Sequence, residues 1–405
     1  MAFPGGLGQI PESRTILKAG SFIPHPDRGG QHHQFSVLKT SIMASLFHPL
    51  CGSNPKTLLK LLLANDPVAL NRWPQVAIAL AVSFGRWPFS TAERIAFELT
   101  HKTDEPIADP VFIVGYWRSG TTHLHNLMAE SGQFGYITPL ATGMPWDILG
   151  LIRALEPLLE QALPQDRFVD NVAVTPTSPQ EDSIPLATMG AESYYHGLYF
   201  PSRFEDHFRR DVLGELSEAD LARWRRLHRH LLRKVSIHQG HRPLLIKNPV
   251  YTGYIRHLRE IWPGAKFIHI HRDPYRVFVS TRHYFRRLLP ELALQSYGDL
   301  PIDEVILESY PLLMKALKAD SQDLPPDQFV ELSFEALQIN PLRELERTFQ
   351  HLRLPNFDAA RPKIEQYLTT LKDYQQNTYS LNAETCALVD KHWGALLSSH
   401  QPLQQ

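Results

Sequence analysis

The chain has 405 residues, 43% hydrophobic and 20% charged, with a formal net charge of −1 and two cysteines. That is enough for one large core or two to three domains, and the composition excludes a fibrous or disordered chain. The near-neutral charge removes the electrostatic case for nucleic acid, and Cys51 and Cys386 alone give neither a disulfide framework nor a zinc spacing, which suits a reducing, cytoplasmic setting.

Residues 1 to about 45 are rich in Gly, Pro and His without a period and read as a wrapping arm. The opening MAFPGGLGQIPESR lacks a charged start followed by an apolar run, so no signal peptide is expected. Two helices are expected in 55–104, from the patches Leu58, Leu59, Leu61, Leu62, Leu63 and Ala77 to Val82. They pack beside the core or, as the rival reading, make a peripheral membrane contact near a greasy acceptor. The apolar run Val76 to Phe84 is far short of the ~20 residues that span a bilayer. Thus 1–104 forms an N-terminal arm and helical extension.

Val111 to Val114 reads as a buried strand, Gly115 to Gly120 as a turn, and Leu124, Leu127 and Met128 as the inner face of a helix. Ile148, Leu149, Ile152, Leu155 and Leu158 mark a further helical patch, followed by the turn-rich Thr175 to Asp182 and the aromatic Tyr194, Tyr195, His196, Tyr199 and Phe200. These belong to an insertion over 145–235, expected on the acceptor side. Ser217 caps a helix with Leu221, Trp224, Leu227, Leu231 and Leu232 on one stripe. Its cations Arg223, Arg225, Arg226, Arg229, Arg233 and Lys234 are expected on a solvated face, with an anion-attracting face as the alternative.

Leu244 to Ile246 and Lys266 to Ile270 read as strands, each followed by a helix, the second with Asp273 as cap and Pro274 at its first position. Helices are expected near 302–318 and 341–352, with a short strand at Phe329 to Leu332 between them. A polar aromatic stretch, 372–379, precedes a C-terminal helix in 381–405. Strand, helix, strand, helix argues for an α/β fold with a parallel sheet.

The segment 111–131 has the layout of a phosphate cradle, with loop N–H groups and a helix N-terminus converging on one spot. It departs from G-x-x-x-x-G-K-[ST]: Gly115, Gly120 and Thr122 are in place, but Thr121 holds the lysine position and the cation is Arg118. A kinase or ATPase needs that lysine and a metal. Arg272 and Ser280, at a strand end and in the next helix, put a guanidinium and a hydroxyl where both can hold one phosphate. No metal-ligand cluster is legible, and a nucleotide kinase or a non-catalytic anion binder remain the alternatives.

Trp117-Arg118-Ser119-Gly120-Thr121-Thr122 resembles the 5′-phosphosulfate loop of sulfotransferases that use 3′-phosphoadenosine 5′-phosphosulfate (PAPS). The run from Phe267 to Ser280 resembles their 3′-phosphate motif. Ser178-Pro179-Gln180-Glu181-Asp182 and Leu245-Ile246-Lys247-Asn248-Pro249 look like the P-Q-E-D and L-K-x-P motifs of the bacterial-type branch. Ser333 to Leu337, with Asn340-Pro341, resembles a late segment near the adenine. The resemblance covers about 105–380 and implies a P-loop-like three-layer αβα domain with a central parallel sheet, joined to the helical N-terminal extension.

It also implies PAPS as co-substrate, no metal, and sulfuryl transfer to a hydroxyl of a small-molecule or lipid-like acceptor. Arg118, Ser119, Gly120, Thr121 and Thr122 would hold one end of the donor, and Arg272 and Ser280 the other. Lys247 would touch the leaving or sulfuryl oxygens. No histidine follows Lys247 as in animal cytosolic relatives, so Glu181 is the first candidate base, Asp182 the second and His196 the third. Two departures stand out. The terminal R-K-G-x-x-G-D-W-K loop is missing, which leaves open whether 372–379 covers the cofactor, and His123 occupies the place of a tryptophan against the adenine.

Overall fold

The computed structural model describes residues 48–101, 107–160, 175–371 and 380–399. All lie in one compact unit, 44–405. The arm read over 1–45 and the stretch 372–379 both lie outside the described residues.

Four strands form one parallel sheet: β1 (Val111–Val114), β2 (Leu245–Lys247), β3 (Lys266–His271) and β4 (Phe329–Ser333), in the order β2-β1-β3-β4. β1, β2 and β3 are buried almost throughout, so they read as apolar runs rather than alternations. Their side chains still alternate between two cores. Phe112, Val114, Ile246 and Phe267 join one cluster, while Val111, Ile113, Leu245, Ile268 and Ile270 join the other. Each large side chain so buried contributes roughly 1.5–3 kcal/mol. Helices fill both outer layers, which makes the three-layer αβα architecture.

Register decides what the strands deliver. Ile113 pairs with Lys247 and Val114 with His269. The loop after β1, the end of β2 and the turn after β3 therefore leave the sheet at the same carboxyl edge, where open α/β sheets bind ligands.

Helices Pro55–Ala64 and Trp73–Thr100 precede the sheet. Leu58 and Leu61 turn into the core, whereas Leu59 and Leu63 are exposed. On the longer helix Val76, Ala79 and Phe97 are buried, and Trp73, Phe84, Trp87, Ile95 and Leu99 face outward. Among the described residues no helix is long and apolar enough to cross a membrane.

Helix Glu218–His238 corrects the expectation of a solvated basic face at its C-terminal end, although Arg226 and Arg229 are exposed as expected. Its predicted apolar stripe is buried, but so are Arg233 and Lys234. Lys234 Nζ lies 2.5 Å from Glu93 Oε1 and donates to the carbonyls of Pro145 and Trp146 at 3.2 and 2.8 Å. The Arg233 guanidinium sits 5.5 Å from the Phe97 ring. The last third of this helix packs under helix Trp73–Thr100, so its cations are consumed by buried partners, and burial lowers the Lys234 pKa against the pull of Glu93. Helix Ala383–Ser399 closes the chain, with Trp393 stacked on Tyr310 at 4.1 Å.

Candidate active site

The loop after β1 folds as it does because two glycines permit it. Gly115 has φ +144° and a Cβ there would lie 2.3 Å from the Ile270 carbonyl oxygen; Gly120 has φ +106° and a Cβ would strike the Phe334 ring. Between them Arg118 holds a left-handed φ of 66°, a conformation that costs a non-glycine residue about 1–3 kcal/mol and persists where the surroundings enforce it. Helix Thr121–Ala129 starts at Gly120 with no side-chain cap, leaving its first N–H groups open for an anion.

The two anion sites predicted from separate motifs adjoin. Arg118 Nε donates to Ser280 Oγ at 3.1 Å, and Arg272 Nη1 donates to the Arg118 carbonyl at 3.4 Å. The Arg272 guanidinium also lies 4.6 Å from the Phe334 ring, which itself meets His123 edge-on at 6.1 Å. Burial lowers the Arg272 pKa; Glu335 opposes that, while Arg276 and Arg118 reinforce it. A cationic cluster of this kind favours an incoming anion. Two buried polar atoms, Ser119 Oγ and Arg272 Nε, have no hydrogen-bond partner among the described residues. Buried polar groups are rarely left so, and a phosphate with its many acceptor oxygens suits both.

The second half of the site is a two-rung clasp. Glu181 Oε2 accepts from Lys247 Nζ at 2.9 Å, and Asp182 Oδ1 accepts from Asn248 Nδ2 at 2.8 Å. Gln180 sets the height of the clasp by donating its N–H to the Ile137 carbonyl at 2.8 Å. The second oxygen of Glu181 accepts from the Tyr195 hydroxyl at 3.1 Å. Glu181 and Lys247 keep a little exposure, 14% and 8% of their side chains.

Asp182 is different. It is fully buried, accepts from Tyr251 as well as Asn248, and has His228 Nε2 3.5 Å away. With no exposed oxygen to receive an acceptor proton, its place is that of a strut under Glu181, which corrects its ranking as a candidate base. His196 is likewise buried, with Nε2 on the Ala187 carbonyl at 3.1 Å, and faces His207 and Glu192 rather than the clasp.

One residue that sequence reading missed joins the halves. Tyr284 lies beneath Arg118, whose Cζ is 6.0 Å from its ring. Its pKa is raised by burial and then by the Glu181 charge, while hydrogen bonds with Tyr195 and Tyr194 oppose this. Arg118, Tyr284, Tyr195, Glu181 and Lys247 thus run as one chain of neighbours. The signal was present: Tyr284 stands four residues after Ser280 on helix Pro274–Leu292, hence on the same face.

The pattern that defines the sulfotransferase family matches residues 110–359. The chain belongs to the sulfotransferase family. Two relatives, the omega-hydroxy-beta-dihydromenaquinone-9 sulfotransferases Stf3 of Mycobacterium bovis and Mycobacterium tuberculosis, are each 31% identical over 351 residues, 86% of this chain and 90% of theirs. Among solved structures, sulfotransferase STF1 from Mycobacterium tuberculosis superposes with a TM-score of 0.58 at 16% identity, over 84% of this chain and 90% of that one. STF9 from Mycobacterium avium gives 0.61 at 15% identity, over 86% and 97%. At that identity the shared property is the fold, and this sulfotransferase has it.

Proposed function

We propose that this sulfotransferase moves a sulfuryl group from PAPS to the hydroxyl of a lipid-like alcohol, using 105–380 as the catalytic domain and 145–235 as its acceptor side. The observation that carries the donor is the contact of Arg118 with Ser280 and Arg272, two anion-binding sets side by side at one sheet edge with partnerless buried donors between them. The acceptor class is supported by the relatives named for an omega-hydroxylated menaquinone derivative and by the tyrosines beside Glu181.

Arg118, Ser119, Gly120, Thr121 and Thr122 bind the phosphosulfate end of the donor substrate, and Arg272 and Ser280 bind the 3′-phosphate. His123 and Phe334 stand where the adenine ring is expected. Glu181 takes the proton of the acceptor hydroxyl as its oxygen bonds to sulfur. The sulfur–oxygen bond to the 5′-phosphate breaks, and its electron pair leaves on that phosphate as 3′,5′-ADP. Arg118 and the N–H groups at the start of helix Thr121–Ala129 stabilise the charge that develops there. Lys247 holds Glu181 in position until the acceptor arrives, then faces the sulfuryl oxygens. Asp182 holds Asn248 and Tyr251, and through them the segment that carries Lys247.

Two measurements test this reading. Binding of 3′,5′-ADP should raise the melting temperature, while ATP with Mg²⁺ should not; an equal or larger response to ATP would replace the sulfotransferase donor with a nucleoside triphosphate. Incubation with labelled PAPS and a lipid extract should yield a labelled lipid sulfate, and label found only in water-soluble products would overturn the acceptor class.

A further inference from the structure

Away from the transfer residues, three side chains from two successive helices and the turn before them meet. Glu192, His196 and His207 each bring a ligand atom to within 4.8 Å of the others. The histidine rings are 5.4 Å apart and nearly perpendicular, at 75°. His207 and Glu192 keep only 12% and 11% of their side-chain exposure.

The surrounding hydrogen bonds fix which ring nitrogens are free. Asn65 Nδ2 donates to the Leu61 carbonyl at 2.9 Å, so its Oδ1 turns to His207 Nε2, 3.2 Å away. An amide oxygen accepts, so His207 carries a proton on Nε2. His196 Nε2 donates to the Ala187 carbonyl at 3.1 Å, which leaves a lone pair on its Nδ1. His207 Nδ1 meets a Glu192 oxygen directly. With its Nε2 turned to Asn65, His207 points Nδ1 at Glu192, so an imidazole nitrogen and a carboxylate oxygen converge there. Each imidazole donating its far N–H to a carbonyl-type oxygen is the second layer that metal-binding histidines carry.

We propose that Glu192, His196 and His207 form a binding site for one zinc-class divalent ion. Two imidazoles and one carboxylate favour zinc or cobalt over magnesium or calcium, which want oxygen ligands. Arg210 lies 3.1 Å from the second Glu192 oxygen, which leaves the other oxygen as the carboxylate ligand. The ion would tie helix Tyr194–Tyr199 and the turn before it to helix Phe204–Val212. Helix Tyr194–Tyr199 also carries the Tyr195 hydroxyl that bonds Glu181, so the ion would act as a positioning device. It lies within the acceptor-side region but uses none of the residues given a part in donor binding or sulfuryl transfer.

The test is metal binding, not turnover. Chelator-stripped protein is titrated with Zn²⁺, Co²⁺ and Mg²⁺. Zn²⁺ should raise the melting temperature by several degrees, Mg²⁺ should not, and Co²⁺ should give the visible absorption of a tetrahedral site at one ion per chain. Glu192→Gln and His207→Gln should lose both responses while keeping the wild-type far-ultraviolet dichroism. If a variant fails to fold, the Co²⁺ spectrum and stoichiometry of the wild type decide alone. No Zn²⁺ response, an equal Mg²⁺ response, or an unchanged Zn²⁺ response in folded variants would overturn the site.

Discussion

The proposed donor and acceptor halves of the site are built on opposite principles. The donor half hangs from strand ends β1 and β3 and is held in an unsatisfied state: Arg118 in a left-handed backbone, Ser119 Oγ and Arg272 Nε without partners among the described residues, a helix start without a side-chain cap. The acceptor half is already satisfied. Glu181 is shared by Lys247 and Tyr195, and Asp182 is enclosed by Asn248 and Tyr251. An anion-binding surface gains when its ligand arrives, because the positive charges no longer face one another. A base, in contrast, must be kept from collapsing before its substrate arrives, and a lysine partner does that.

The comparison breaks or sharpens at particular residues. The largest effect is expected at Glu181. Glu181→Gln should lower kcat by roughly 10²–10⁴-fold and leave 3′,5′-ADP binding intact; unchanged turnover in the folded variant removes Glu181 from the role of base. Arg118→Ala should cost about 10²–10³ in kcat/KM and also weaken 3′,5′-ADP, since the same guanidinium serves both ligand and leaving charge. A loss confined to KM would mean that Arg118 binds without stabilising the transition state.

Asp182→Asn separates strut from base. It weakens the hydrogen bonds from Tyr251 and Asn248, for a stability loss of roughly 1.5–3 kcal/mol. The expected result is a lower denaturation midpoint with kcat largely kept, and the reverse pattern would restore Asp182 as a candidate base. The smallest effect is on the pH profile of stability. Burial depresses His48, His196 and His230 to about 4, 4 and 3. A histidine with a lowered folded pKa contributes stability above its ordinary 6.5 that is lost as pH falls towards the folded value. Buried Asp211, raised to about 7, acts the other way, losing stability as pH rises through that value. Three groups against one should make the melting temperature fall between pH 6.5 and 4, and a flat profile there would show that these histidines are not held neutral.

Much of the donor half was legible. An apolar run bounded by Gly115, then Arg118 and Gly120, and the spacing of Arg272 from Ser280 are local facts, because each motif sits at one strand end and its backbone demands show in the residue types. The basic run on helix Glu218–His238 misled for the opposite reason. Spacing along a helix says which residues share a face, but not that a second helix covers Arg233 and Lys234. Asp182 and Glu181 are adjacent and chemically alike, and nothing in their order tells which oxygen is enclosed.

The sequence by itself determined the parallel α/β class, the strand-end loops and the family, since periodicity and motif spacing are properties of neighbours along the chain. Tertiary structure alone decided that Arg118 reaches Ser280, that Glu181 rather than Asp182 remains open, that Tyr284 bridges the two halves, and that Glu192, His196 and His207 meet. Those outcomes depend on which side chains lose water to which partners, and burial is set by packing between distant segments.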